Sequence, residues 1–191
     1  ISLSSDGVIT VKGGASKNIK VKLSGGSMTT IWGGYTPITT SGGISNYSNS
    51  SLVSGTGSAD SIYNSGKYVT VNAGSGNDTI NNSSLGDYSS LSGGWGNDSI
   101  NAGSASYRVT LNGGYGNDTL TGSTSSSYGD VFQFGNHDDY DVITNYGTND
   151  TIHLTGTSYL SSSQYYNVGS DRVISLSSDG VITVKGGASK N

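Results

Sequence analysis

At 191 residues the chain can hold one large domain or two small ones, and it contains no apolar run of the length that crosses a membrane as a helix. Its 31 glycines and 31% apolar content leave little material for a conventional globular core, and the absence of cysteine excludes disulfides and thiolate metal sites. The formal charge of −4 hides a bias: all 13 acidic residues are Asp and none is Glu, which suits a short carboxylate wanted at defined turn positions.

The 13 tyrosines and many β-branched residues fall in short alternating runs, and no stretch sustains a helical period. That pattern predicts an all-β chain with tight glycine-rich turns. Residues 1–18, ISLSSDGVITVKGGASKN, read as a hairpin in which Ile1 and Leu3 face Ile9 and Val11 across an Asp6-Gly7 turn. Asp-Gly suits such a turn because both central residues take positive φ. A third strand follows at 19–23, with Lys20 and Lys22 on the solvent face. Residues 1–54 are therefore expected to form an antiparallel meander, with 41–51 as a soft connection.

From residue 55 the chain repeats itself. Asp60, Asp78, Asp98 and Asp118 recur at spacings of 18, 20 and 20, each followed two places later by Ile62, Ile80, Ile100 or Leu120. Between them a second alternating run places Val71, Leu91 and Leu111 in step, with Thr70, Ser90 and Thr110 on the opposite face. Each period holds two short strands and two turns, one glycine-rich and one plain. Such a unit is too small to bury its own apolar face, so neighbours must stack. The prediction is a parallel β-solenoid, or β-roll, over 55–155, with the two apolar ladders facing each other inside.

The glycine-rich turns read AGSGNDTI (73–80), GGWGNDSI (93–100) and GGYGNDTL (113–120). Glycine lets the backbone turn carbonyl oxygens toward a common point, and Asp adds a carboxylate. Stacked turns of this kind offer several hard oxygens at variable distance, which suits Ca²⁺ better than Zn²⁺ or Mg²⁺. The bland alternative is a solenoid in which Asn and Asp merely cap turns.

These three octads resemble the nonapeptide repeat of the RTX, or haemolysin-type calcium-binding, family, whose pattern is Gly-Gly-x-Gly-x-Asp-x-apolar-x. GTGSADSI (55–62) resembles a degenerate first copy, and 129–154 is similar to the segment that closes such rolls. The resemblance implies Ca²⁺ held between successive turns by Asp78, Asp98 and Asp118, with backbone oxygens of Gly74, Gly76, Asn77, Gly94, Gly96, Asn97, Gly114 and Gly116. It further implies a weaker site at Asp60 and another near the end of the roll from Asp130, Asp138 and Asp141. Two departures matter: Ala73 replaces a first glycine, and Ser58 replaces a last one. The motif also appears once per 18 to 20 residues rather than every nine, so ions are expected along one edge only.

Catalytic constellations are lacking. His137 and His153 are the two histidines, and neither a His-Glu-x-x-His motif nor a Gly-x-Ser-x-Gly elbow occurs. The run Asp138-Asp139-Tyr140-Asp141 reads as a partial calcium turn rather than a glycosidase pair. Trp95 and Tyr115 share one loop position in successive turns, where they either bind a sugar ring or stack on each other. Nucleic acid is not an expected partner, because the lysines of 1–54 lie without interleaved aromatics and 55–155 carries ten Asp against Lys67 and Arg108.

Residues 156–191 are expected to form a connector and a hairpin, for 174–191 repeat 1–18 without a change, at an offset of 173. Either an end has been artificially duplicated, or the chain is a window on a tandem array with a 173-residue unit. The array is the reading adopted. It predicts identical units joined head to tail, each hairpin covering the open end of the preceding roll near Leu154 and Leu160. The chain starts mid-pattern at ISLSSDG, so its natural N-terminus is expected upstream. The expected protein is non-enzymatic and extracellular or surface-attached, a fibre, surface-layer or adhesin-type structural unit. The alternatives are a carbohydrate- or surface-binding module, or the non-catalytic tail of a secreted enzyme.

Overall fold

The computed structural model describes residues 43–104, 107–124, 127–135, 139–155, 164–176 and 180–187, together with the backbone of three short strands, β1 (Ile9–Val11), β2 (Ile19–Lys22) and β3 (Met28–Ile31). Parallel strands dominate, and no described helix is long and apolar enough to cross a membrane. The chain alternates between two facing sheets. One sheet receives β4 (Gly43–Asn46), β6 (Ser61–Asn64), β8 (Thr79–Asn82), β10 (Ser99–Asn101), β12 (Thr119–Thr121) and β14 (Tyr140–Thr144). The other receives β5 (Leu52–Ser54), β7 (Thr70–Ser75), β9 (Ser90–Trp95), β11 (Thr110–Tyr115), β13 (Val131–Phe134) and β15 (Thr151–Leu154). The result is a β-solenoid, as the 18- to 20-residue period predicts.

The register explains the core. Ile44, Ile62, Ile80, Ile100, Leu120 and Ile143 are successive partners in the first sheet. Val53, Val71, Leu91, Leu111, Phe132 and Ile152 are successive partners in the second. Side chains alternate across a strand, so one ladder from each sheet points inward. Both ladders join a single apolar cluster, and all but Ile152 are essentially inaccessible to solvent. Thr70 and Ser90 face outward, as expected, and Thr110 is half-exposed.

The solenoid begins earlier than the sequence suggested. Residues 43–54, read there as part of a meander, form the first rung through β4 and β5, and β1 pairs with β4 in parallel. Among the described strands of 1–54 only β2 and β3 are antiparallel to each other. The glycines and serines of 41–51 disguise the rung, because Ile44 and Val53 are its two inward apolar anchors.

At the far end, β18 (Val181–Val184) adds to β14 in parallel, and β17 (Asp171–Ser175) turns back against β18. β16 (Tyr165–Val168) completes the antiparallel edge. Ile174, Leu176, Ile182 and Val184 are buried in the same cluster as the roll, with Leu154 packed against it. The repeated hairpin therefore covers the end of the roll, as expected. Ile174 lies opposite Ile182, but Val184 lies opposite Arg172, while the Leu176 amide bonds the Gly180 carbonyl near the turn at 2.8 Å. Leu160, Asp179 and residues 1–8 lie outside the described residues.

Candidate functional site

The two edges of the solenoid are built differently. On the glycine-rich edge, Asp60, Asp78, Asp98, Asp118 and Asp141 form a buried ladder. The Asp60 amide donates to Asp78 Oδ1 at 2.7 Å, Asp78 to Asp98 at 2.7 Å, Asp98 to Asp118 at 2.7 Å and Asp118 to Asp141 at 2.8 Å. Each carboxylate thus ties its rung to the one before. Outside this ladder, Asn77 and Asn97 accept the amides of Asn97 and Asn117, both at 2.9 Å, and Asn117 accepts that of Tyr140 at 3.0 Å.

The second carboxylate oxygen distinguishes the rungs. At Asp60, Oδ2 accepts the Thr56 amide at 2.7 Å and the Thr56 hydroxyl at 2.9 Å. That turn is satisfied by its own donors, so Asp60, Thr56 and Ser58 make a closed cap rather than a cation site. Asp78 and Asp98 Oδ2 are buried and have no hydrogen-bond partner among the described residues. Asp98 Oδ1 accepts the Asp78 amide, and the group opposite Oδ2 is an acceptor. A Cβ on Gly93 would overlap Asp98 Oδ2 and lie 2.7 Å from the Gly113 carbonyl oxygen, so two oxygens converge where glycine leaves room. Two converging acceptors without a donor repel each other unless a proton or a cation lies between them. Gly94 and Gly96 hold φ of +114° and +124°, which a residue with a Cβ rarely adopts.

The unsatisfied oxygen of Asp98 therefore has room for a proton or a hard cation. A Cβ on Gly113 would likewise overlap Asp118 Oδ2, whereas Ala73 carries a methyl at the corresponding position of the Asp78 turn. Among the described residues no three of His, Cys, Asp or Glu cluster as a metal site would require. With one carboxylate per rung on this edge, a cation there would have to take most of its ligands from backbone oxygens.

Burial pushes the Asp98 carboxyl up to about 6, with the Asp78 amide opposing the rise and the Asp78 charge adding to it. Burial likewise raises Asp78, against the Asp60 amide and with the Asp60 charge. A carboxylate in this ladder prefers to be neutralised.

The expected terminal site is not assembled as drawn. Asp130 lies before β13 and Asp141 follows it in β14, so a whole strand width separates them. Asp130 sits on the plain edge, where its two oxygens accept the Val109 amide at 3.0 Å and the Ser123 amide at 2.7 Å. Its own amide is held by Asp150 at 2.8 Å. Asp141 instead ends the Asp ladder, and Asp138 lies outside the described residues, as does His137. His153 is in β15, with its side chain exposed.

Sequence reasoning overlooked the plain edge. There Asn46, Asn64 and Asn82 form a buried amide ladder: Asn46 Nδ2 donates to Asn64 Oδ1 at 2.8 Å, and Asn64 Nδ2 to Asn82 Oδ1 at 2.7 Å. Asn82 Nδ2 then donates to the Gly86 and Ala102 carbonyls at 2.8 and 3.1 Å. The signal was present as Ile44-x-Asn46, Ile62-x-Asn64 and Ile80-x-Asn82, an asparagine two places after each of the first three ladder isoleucines. The same turns place Tyr68, Tyr88 and Arg108 at φ of +57°, +55° and +50° on successive rungs. Tyr68 and Tyr88 stack at 5.1 Å, beside a Lys67–Asp87 ion pair of 2.7 Å. On the opposite edge Trp95 and Tyr115 stack at 6.0 Å with planes 9° apart, yet remain 61% and 49% exposed.

The chain matches no protein-family model, and no curated protein matches it.

Proposed function

We propose that this chain is a unit of a tandem, calcium-stabilised extracellular rod, of the fibre, surface-layer or adhesin type, with no catalytic role. The observation that carries the calcium reading is Asp98: a buried carboxylate oxygen without a donor, opposed by the Gly113 carbonyl oxygen in a space that glycine keeps open. Asp98 and Asp118 would hold the ion with backbone oxygens of the glycine-rich turns, and Asp78 would do so less well because Ala73 narrows its turn. Bound calcium supplies the positive charge that stacked carboxylates otherwise lack. The rest of the fold follows from that. Stacked glycine-rich turns lose much conformational entropy on ordering, and the ion offsets it only where calcium is plentiful, outside the cell. A chain without cysteine can be exported unfolded and set afterwards.

The array reading rests on the identity of residues 1–18 with 174–191, and on β1 and β18, drawn from the two copies, which are the first and last of the parallel strands in one sheet. Circular dichroism tests the calcium reading: β signal should be lost in chelator and return at millimolar Ca²⁺. A β spectrum unchanged by chelator would overturn it. Exposed Trp95 and Tyr115 supply the one observation favouring a sugar-binding module, and their mutual stacking covers one face of each ring.

A further inference from the structure

The first copy of the repeated segment gives β1 to the ten-stranded sheet, the second gives β18 and the last two residues of β17, and the strand they share, β1 or β18, does opposite work in the two copies. In the first, β1 covers the free edge of β4, with Ile9, Thr10 and Val11 in register with Ile44, Ser45 and Asn46. In the second, β18, whose Ile182, Thr183 and Val184 are the same residues 173 positions on, covers the free edge of β14. Rungs ascend from β4 to β14, so β4 lies after β1 whereas β14 lies before β18. The two neighbours use opposite edges of one strand.

A tandem array with this period has one copy of the segment per junction. That copy has to close the roll before it and start the roll after it. We propose that β18 is a shared rung: its one edge stays on β14, and its other edge takes β4 of the next unit, making the sheet continuous from roll to roll. This deepens the array reading and depends on it for its biological setting. In the present chain β17 holds that second edge in antiparallel register, with Val173 opposite Thr183, and Lys185 clamps Asp171 at 2.8 Å. The β16–β17 hairpin is thus a removable cap, standing where the next unit's first rung belongs. If it stayed, the upstream edge of every following β4 would be bare, an invitation to uncontrolled pairing.

The registers are compatible. Ile143 pairs with Val184, and Ile9 pairs with Ile44, so a shared strand shifts the inward ladder by two residues. A shift of two preserves the inward face, where a shift of one would invert it. The Asp ladder then ends against Ile182, opposite Asp141, and the Asn ladder begins against Val11, opposite Asn46. An apolar rung separates the polar ladders of successive units.

The test uses a two-unit chain, this sequence continued from Asn191 with residues 19–191, and its lack of native cysteine. Adjacent in-register strands lie about 4.8 Å apart, within disulfide reach. One variant carries Thr183→Cys with Ser45→Cys in the second unit; the other carries Thr183→Cys with Val173→Cys in the first. Both are screened for unaltered calcium-dependent circular dichroism before oxidation. The shared rung predicts that the first pair crosslinks about tenfold faster than the second, and that Val173→Cys pairs readily with Thr183→Cys in the single-unit chain. Fast Val173–Thr183 crosslinking in the two-unit chain, without the interunit bond, would show that the hairpin keeps the edge and the proposal fails. The array reading fails separately, if the sequence of the parent protein contains no second 173-residue unit.

Discussion

The two edges of this solenoid solve one problem with different chemistry. Every rung turns twice, and most turns bury a polar side chain that ties adjacent rungs together. The plain edge uses Asn46, Asn64 and Asn82, whose amides both donate and accept, so the ladder satisfies itself. The glycine-rich edge uses Asp, which accepts only, and its donors are the backbone amides of neighbouring Asp residues. One oxygen of Asp98 is left over, opposite the Gly113 carbonyl oxygen. An amide ladder is complete as folded; a carboxylate ladder needs a proton or a cation. The lesson is that one edge is a fixed hinge and the other is a conditional one.

The comparison breaks most sharply if the charge is removed. Replacing Asp78, Asp98 and Asp118 together by Asn turns the conditional edge into an amide ladder. In chelator this variant should be more stable than the wild type, by on the order of 2–4 kcal/mol, and its denaturation midpoint should no longer respond to Ca²⁺. Denaturant melts with and without calcium decide it; a variant as calcium-dependent as the parent would show that the carboxylates are not the ligands. By contrast, Asp98→Ala removes the acceptor of the Asp78 amide as well as a ligand, and should cost about 3 kcal/mol in calcium.

On the plain edge, Asn64→Ala should cost about 2 kcal/mol, because Asn46 and Asn82 each lose a ladder partner and the Gly66 amide loses its acceptor. The loss should be the same in calcium and in chelator. A loss that disappears in chelator would mean that the two edges are not independent.

Acidity should act as a substitute for the ion. The folded Asp98 carboxyl titrates near 6, above its unfolded value, so the fold binds a proton more tightly than the unfolded chain does. The stabilisation is fully present below the unfolded value of 3.8 and is lost as pH rises through 6. In chelator the denaturation midpoint should therefore fall between pH 4 and 6, by about 2 kcal/mol of stability, and calcium should flatten the profile. A chelated protein that gains stability over this window would contradict the reading.

The smallest effect concerns the exposed aromatics. Trp95→Ala should cost about 1 kcal/mol through loss of the Tyr115 stack, with no change in calcium response. A glycan array on the wild type and this variant separates self-stacking from sugar binding, since only the latter produces a signal that Trp95→Ala abolishes.

Much of this was legible in the sequence because stacking turns a one-dimensional period into a spatial neighbour. Asp98 and Asp118 are 20 residues apart and one rung apart, so a spacing is already a contact. The inward ladders of Ile62, Ile80, Ile100 and Leu120, and of Val71, Leu91 and Leu111, needed only that period and the alternation of a strand. The Asn ladder obeyed the same rule and was readable, yet asparagine in a turn is so common that it carried no weight by itself. Asp130 misled for the opposite reason: its place near Asp138 and Asp141 in sequence crosses a strand, and four extended residues separate the two edges of the molecule.

By itself, then, the sequence determined the solenoid, its two apolar ladders, the edge that carries Asp and the identity of the two repeated ends, because each depends on local pattern and a fixed repeat. Tertiary structure decided which Asp oxygens have donors, for Thr56 satisfies Asp60 whereas nothing does so at Asp98. It also decided that β4 and β5 are the first rung, and that the repeated strand meets β4 at one end and β14 at the other. Those outcomes depend on which edge of a strand is free, and an edge exists only once its neighbours are in place.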